Sequence, residues 1–329
     1  MRLMGAMDTA RNTGLSIERL TAARAFVGQH VPPTPAYRWP LLEELTGVET
    51  WVKHENHTPV GAFKVRGGLW FVDQLLRTER PAGLISASRG NHAQSLAYAG
   101  RAFGLPVTIV VPEGNSPDKN AATAALGAEV VVHGRDFQES VEESRRLAQE
   151  RGLLAVPSYH PWLVEGVATY PAELHEQVPD LDAIYVPIGM GSGACANILV
   201  RDLLGVATEI VGVVAEEAPA YALSYDAGVP VPTPTADTFV DGVACRTPDP
   251  TAVDIIAGGA ARIVRVREDD AARAMAAVYR ATHNLAEPAG ALALAGLLAD
   301  RYRRPGGRVA IVLTGGNADF DVLSTVLGA

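Results

Sequence analysis

The chain has 329 residues, 48% of them hydrophobic and 20% charged, which is enough for a full core and, by length, two domains. A formal net charge of −9 argues against nucleic acid or an anionic membrane as a main partner, because both demand basic surface. There is no apolar run near the roughly 20 residues of a bilayer span, no signal-peptide core near the start, and two cysteines are too few for a disulfide framework or a zinc site. A cytoplasmic location is therefore expected.

In chain order, residues 1–15 are polar and irregular, an extension expected to lack fixed structure. The next informative stretch is 58–68, TPVGAFKVRGG, where Lys64 stands between Phe63 and Val65 and is bracketed by Gly61, Gly67 and Gly68. Desolvation lowers an amine's pKa, and a neutral amine can form a Schiff base or take a proton. The competing reading is a lysine whose stem covers apolar surface while its head reaches water.

A strand at 83–86 then runs into the turn SASRGNHAQ (86–94) and a helix at 92–103. Such a turn leaves backbone N–H groups facing one point, which suits a carboxylate or phosphate. Asn91 is equally a helix cap. A strand at 107–111, a helix at 117–126 capped by Ser116 with Pro117 first, a strand at 130–133, a helix at 137–151 and a strand at 154–156 complete a βαβαβαβ unit.

The pattern resumes with a strand at 182–188, the segment VPIGMGSGACA (186–196) and a helix ending near 204. Gly189, Gly191 and Gly193 let successive N–H groups converge on an anion, and Ser192 adds a hydroxyl. Neither a full GxGxxG nor a P-loop lysine is present, so a nucleotide is not indicated. Cys195 just beyond is read as helix packing. Later strands fall at 209–214, 262–266 and 308–314, the last ending in VLTGGNAD with the hydroxyl of Thr314. The proline-rich stretch 228–238 reads as extended surface chain. Alternation of this kind predicts parallel sheets with helices on both faces and ligands at the carboxyl ends of the strands.

Together, the AFK segment around Lys64 and the S-x-G-N-H of 88–92 identify a resemblance: over roughly residues 31–327 the chain resembles the fold-type II pyridoxal-phosphate enzymes, and within them the serine/threonine dehydratases. The resemblance implies an α/β, tryptophan synthase β-like fold of two domains, each a twisted, mostly parallel sheet flanked by helices. It places a small domain at 75–157 and a large cofactor domain at 16–74 and 158–329. It also implies pyridoxal 5'-phosphate as cofactor, an amino acid as substrate and a homodimer.

The same resemblance assigns roles. Lys64, beside Phe63, holds the cofactor and removes the α-proton. Asn91 contacts the ring hydroxyl, and Ser88, Arg89, Gly90, Asn91 and His92 form the loop for the α-carboxylate. Gly189, Met190, Gly191, Ser192 and Gly193 cradle the phosphate. Thr314 faces the pyridine nitrogen, where a hydroxyl does not force ring protonation, which favours elimination over transamination. Glu287, in EPAGA, matches a glutamate near the cofactor and reads equally as a helix-start carboxylate. His54 and His160 are taken as structural.

The implied reaction is loss of water from threonine, serine or an analogue, giving a 2-keto acid and ammonia. The alternatives are β-replacement of the cysteine-synthase kind, a dehydratase for 3-hydroxyaspartate or an aromatic β-hydroxy amino acid, and a cofactor-binding protein without turnover. Four departures bear on these. Arg89 replaces the small residue or racemase serine of the family, which disfavours racemisation and leaves two readings: a guanidinium that reads a second substrate carboxylate, or one that points to solvent. Met190 replaces a glycine. Val214 stands where metal-dependent relatives place a glutamate, so no metal is expected unless Glu216 and Glu217 substitute. The chain stops soon after 315–319, so no C-terminal regulatory domain is expected.

Overall fold

A computed structural model describes residues 15–300 and 306–328. The expected extension at 1–15 lies almost wholly outside the described residues.

Among the described residues ten strands build two sheets. The larger has the order β1-β2-β10-β7-β8-β9, formed by β1 (Ala36–Arg38), β2 (Glu49–His54), β7 (Ala183–Pro187), β8 (Glu209–Ala215), β9 (Arg262–Val266) and β10 (Arg308–Leu313). The smaller has the order β5-β4-β3-β6, formed by β3 (Leu84–Ala87), β4 (Val107–Val111), β5 (Glu129–Val132) and β6 (Leu154–Ala155). All pairings are parallel except β1 with β2.

Burial explains why the central strands read as unbroken apolar runs. All five residues of β7 are buried, and alternate ones enter different cores: Ala183 and Tyr185 one, Ile184 and Val186 the other. β10 does the same, with Val309, Ile311 and Leu313 on one face and Ala310 and Val312 on the other. Helices thus cover both faces, as a parallel sheet requires. A third core joins the smaller sheet, through Leu84, Val107 and Ile109, to the helix Lys64–Leu76, through Val65, Leu69 and Val72.

Strand order positions the site. β2, β10 and β7 are neighbours and run parallel, so the segments beyond their carboxyl ends emerge side by side: the Lys64 segment, Thr314 and the 188–191 turn. The loop after β3 faces them from the other sheet.

The expected strands and helices from 83 to 204 recur within two residues of their expected ends. Sequence patterning did not single out β1, β2 or the helix that starts at Lys64. That helix packs closely because residue 68 is glycine: a Cβ there would lie 2.3 Å from Ser95 Oγ. Ser95 Oγ in turn donates to the Lys64 carbonyl at 2.6 Å. Below Lys64 lies a buried, charge-balanced quartet. Arg66 donates to Glu55 and Glu173, and Lys53 donates to Glu173 and to the Thr34 carbonyl. Each cation has a carboxylate partner at 2.6–2.8 Å, the condition under which buried charges are tolerated. The quartet ties the Lys64 helix to the helix Thr169–Gln177.

Residues 228–238 form neither helix nor strand and are mostly exposed, as expected. Cys195 is buried in the core of the helix Ser192–Leu204. His160 caps the helix Pro161–Val167, its Nδ1 accepting from Trp162 N. His54 accepts from Trp39 Nε1 and stacks on His57.

Candidate active site

Lys64 is the first residue of its helix. Protein packed around its ammonium removes most of its hydration, although the cleft leaves part of the side chain accessible. Burial holds the amine below the ordinary lysine range, with Glu287 and Asp241 pulling the other way. Among the described residues its Nζ makes neither a hydrogen bond nor an ion pair. The solvent-directed lysine is thereby set aside.

The backbone joins Lys64 to the end of β10. Phe63 N–H donates to the Thr314 carbonyl at 3.0 Å, and Ala62 bridges Gly315. Thr314 is buried, and among the described residues its hydroxyl has only a long contact, 3.4 Å, to the Ala289 carbonyl. The Gly189–Gly193 turn comes to the same place from β7. Gly191 caps the helix Ser192–Leu204 in a left-handed conformation, φ +95°, where glycine is at home. The first backbone bond within that helix is Cys195 N–H to Gly191 C=O, so the N–H groups of Ser192, Gly193 and Ala194 have no helical acceptor. A Cβ on Gly193 would lie 3.8 Å from the Phe63 ring and 3.6 Å from Tyr170 Oη. The nest therefore abuts the Lys64 segment. Met190 is tied in through its carbonyl, which accepts from Tyr221 Oη at 2.8 Å.

The loop after β3 departs from expectation. Gly90, not Asn91, is the N-cap of the helix Asn91–Phe103, and no side chain caps that position. Ser88 Oγ instead accepts from Ala93 N at 3.1 Å. Asn91 is thus free to cross the cleft: its Nδ2 donates to Glu287 Oε1 at 2.6 Å, and its Oδ1 accepts from Asn317 Nδ2 at 2.9 Å. His92 is buried beside Lys64. Burial, then the charge of Lys64, brings its imidazole down to about 3. Among the described residues its Nε2 has no partner.

Glu287 immediately precedes the helix Pro288–Asp300, and its carboxylate accepts from Asn91 across the cleft. Burial pushes its carboxyl above the ordinary range, opposed by Lys119, by the Asn91 hydrogen bond and by Lys64. Arg89 stands at the rim: its side chain is 48% exposed, as in its solvent-facing reading, and Nη1 lies 3.4 Å from Asp241 Oδ1. Lys119, Asp241 and Asn317 were not singled out in the sequence. A lysine in the first turn of the helix Pro117–Ala125, against the helix dipole, was the available signal for Lys119.

Val214 is a buried strand residue, while Glu216 and Glu217 are exposed on the following turn. Among the described residues no three His, Cys, Asp or Glu side chains are grouped to hold a metal ion, and no helix is long and apolar enough to cross a membrane.

The residues fit a phosphorylated aldehyde cofactor on three counts. Among the described residues a desolvated amine stands free of any ion pair, a glycine-rich helix start beside it offers N–H groups without helical acceptors to a phosphate, and the buried Nε2 of His92, which feels the charge of Lys64, is unpartnered.

Comparison with known proteins agrees. An L-threonine ammonia-lyase of Geobacter sulfurreducens is 37% identical over 289 residues, covering 87% of this chain and 71% of that protein. An L-threo-3-hydroxyaspartate ammonia-lyase of Saccharomyces cerevisiae is 32% identical over 302 residues, covering 92% and 93%. Among solved structures, the processed form of threonine deaminase isoform 2 from Solanum lycopersicum superimposes with a TM-score of 0.88 at 29% identity, over 96% of this chain and 94% of that one. Maize serine racemase gives 0.89 at 25% identity, over 95% and 97%. Residues 27–315 match the family described as pyridoxal-phosphate dependent enzyme, and with Lys64, the glycine nest and the Asn91 loop assembled at one cleft, the chain belongs to that family.

Proposed function

We propose that the chain removes water from a β-hydroxy amino acid, releasing a 2-keto acid and ammonia. The observation that carries this is the convergence on one cleft of a desolvated Lys64, a phosphate-sized nest of N–H groups and a hydroxyl, Thr314, in place of a carboxylate. The relatives named as ammonia-lyases support the same reaction class.

Lys64 would carry the cofactor, the N–H groups of the Gly189–Gly193 turn and the Ser192 hydroxyl would hold its phosphate, and Thr314 would meet its ring nitrogen. When bound, pyridoxal phosphate supplies an electron sink that acidifies the α-hydrogen of an attached amino acid. The turn Ser88–His92 receives the α-carboxylate at the start of the Asn91 helix. Lys64 Nζ, kept toward its neutral form by burial, accepts the α-proton. Asn91 and Glu287 hold the two sides of the cleft in register, and His92 stays neutral beside Lys64. Arg89 supplies no second base, because a guanidinium remains protonated; racemisation is thus disfavoured. The small domain is placed at 75–157 and the working unit is a homodimer in the cytoplasm.

The test is release of keto acid and ammonia in equal amounts from serine, threonine and 3-hydroxyaspartate, with no added nucleophile. A requirement for a thiol or other nucleophile would replace this reading with β-replacement.

A further inference from the structure

The chain contains three lysines, Lys53, Lys64 and Lys119. Lys53 belongs to the buried quartet. Lys119 stands in the same chamber as Glu287, whose carboxyl feels its charge. The Lys119 side chain is only 14% exposed, yet among the described residues its Nζ donates no hydrogen bond; its ion-pair partner, Asp241 Oδ2, is 3.6 Å away. Arg89 approaches the other oxygen of that carboxylate at 3.4 Å. Both separations exceed the roughly 2.7–2.9 Å of a formed charge-assisted hydrogen bond. Two cations therefore share one carboxylate loosely, and the next carboxyl, Glu287, is pushed toward its protonated form by burial.

The ammonium also sits where a substrate would feel it. A Cβ on Gly90 would be 3.5 Å from Lys119 Cδ and 3.9 Å from Nζ, so the lysine overhangs the turn proposed to take the α-carboxylate. A cavity of about 580 Å³ opens there, bounded by Arg89, Lys119, Asp241 and Glu287.

Resting on the dehydratase reading, we propose that Lys119 receives a second acidic group on the substrate, so that the preferred substrate is a β-hydroxy amino acid with a side-chain carboxylate. Arg89 stands at the rim, 3.4 Å from Asp241 Oδ1, and competes with Lys119 for that carboxylate. Asp118, Asp319 and Asp321 also line the cavity and act against an anion. Asp118 and Asp321 are exposed and screened by water, and Asp319 accepts from Ser116 Oγ. A direct contact with a poorly hydrated ammonium outweighs them.

The experiment compares kcat/KM for keto-acid release from L-threo-3-hydroxyaspartate, threonine and serine in the holoenzyme, Lys119→Met and Asp241→Asn. The wild type is expected to prefer the acidic substrate. Lys119→Met lowers the acid-to-threonine ratio by roughly 10- to 100-fold, the value of one charge-assisted contact. Asp241→Asn, which removes the competing carboxylate, raises that ratio; should Lys119→Met fail to fold, this opposite sign decides alone. An unchanged ratio in Lys119→Met, equal loss on all three substrates, or a fall in Asp241→Asn overturns the inference and leaves the dehydratase reading standing. Absence of keto acid from every substrate overturns the dehydratase reading itself.

Discussion

Asn91 Nδ2 and Glu287 Oε1 meet at 2.6 Å across the cleft, joining the loop of the smaller sheet to a helix of the larger one. Because burial raises the Glu287 carboxyl above its ordinary range, the folded protein binds that proton more readily than the unfolded chain. The stability it contributes is full below the unfolded carboxyl pKa and is lost as pH rises through the folded one. Glu287→Gln keeps an oxygen for Asn91 and removes the titration. Its Tm relative to wild type is therefore expected to rise between pH 5 and pH 8, and a difference that is flat with pH would contradict the burial argument.

His92 carries the opposite sign. Its folded value is depressed to about 3 from 6.5, so its contribution is present above pH 6.5 and is lost as pH falls toward about 3. His92→Gln should flatten the acid limb of the stability curve in that window. Parallel acid limbs in the two proteins would place the acid sensitivity elsewhere.

Gly191 is the left-handed position of the nest. At φ +95° an added Cβ would lie 2.9 Å from Ala252 Cβ, and a non-glycine residue in such a conformation costs on the order of 1–3 kcal/mol. Gly191→Ala should lower Tm and weaken retention of pyridoxal phosphate by about tenfold, the value of one displaced hydrogen bond to a charge. Equilibrium dialysis of the two proteins measures this. Unchanged retention would mean the phosphate is held elsewhere.

Thr314 is expected to govern product ratio more than fold. Its long contact to Ala289 contributes little, so Thr314→Ala should unfold at nearly the wild-type temperature and lose about 1 kcal/mol in catalysis. Thr314→Asp should raise transamination products, read by chromatography after long incubation. Product ratios equal to wild type in both variants would remove Thr314 from reaction control.

The parallel strands were readable because burial on both faces leaves runs such as Val107–Val111 and Ala183–Pro187 wholly buried and almost entirely apolar. β2 was hidden by Lys53 and His54, which are polar yet fully buried through distant partners. The Lys64 helix was hidden by its glycine pair and by Arg66, whose partners lie 11 and 107 residues away. At the site, residue type singled out Lys64, the nest and Thr314, which the fold brings together. It misplaced the cap at Asn91, because what decides the cap is the backbone at Gly90. Lys119 and Asp241 meet only after the two sheets face each other, and no local pattern reports that.

The central claim is that Lys64 is the cofactor's point of attachment. Three lysines make the measurement decisive: borohydride reduction of the holoenzyme, proteolysis and mass spectrometry of the lysine-containing peptides. The account predicts the cofactor's mass on the peptide bearing Lys64 and its absence from that peptide in Lys64→Met, with turnover lost. Cofactor fixed to Lys53 or Lys119, or no fixation in a protein that has bound it, would contradict the account.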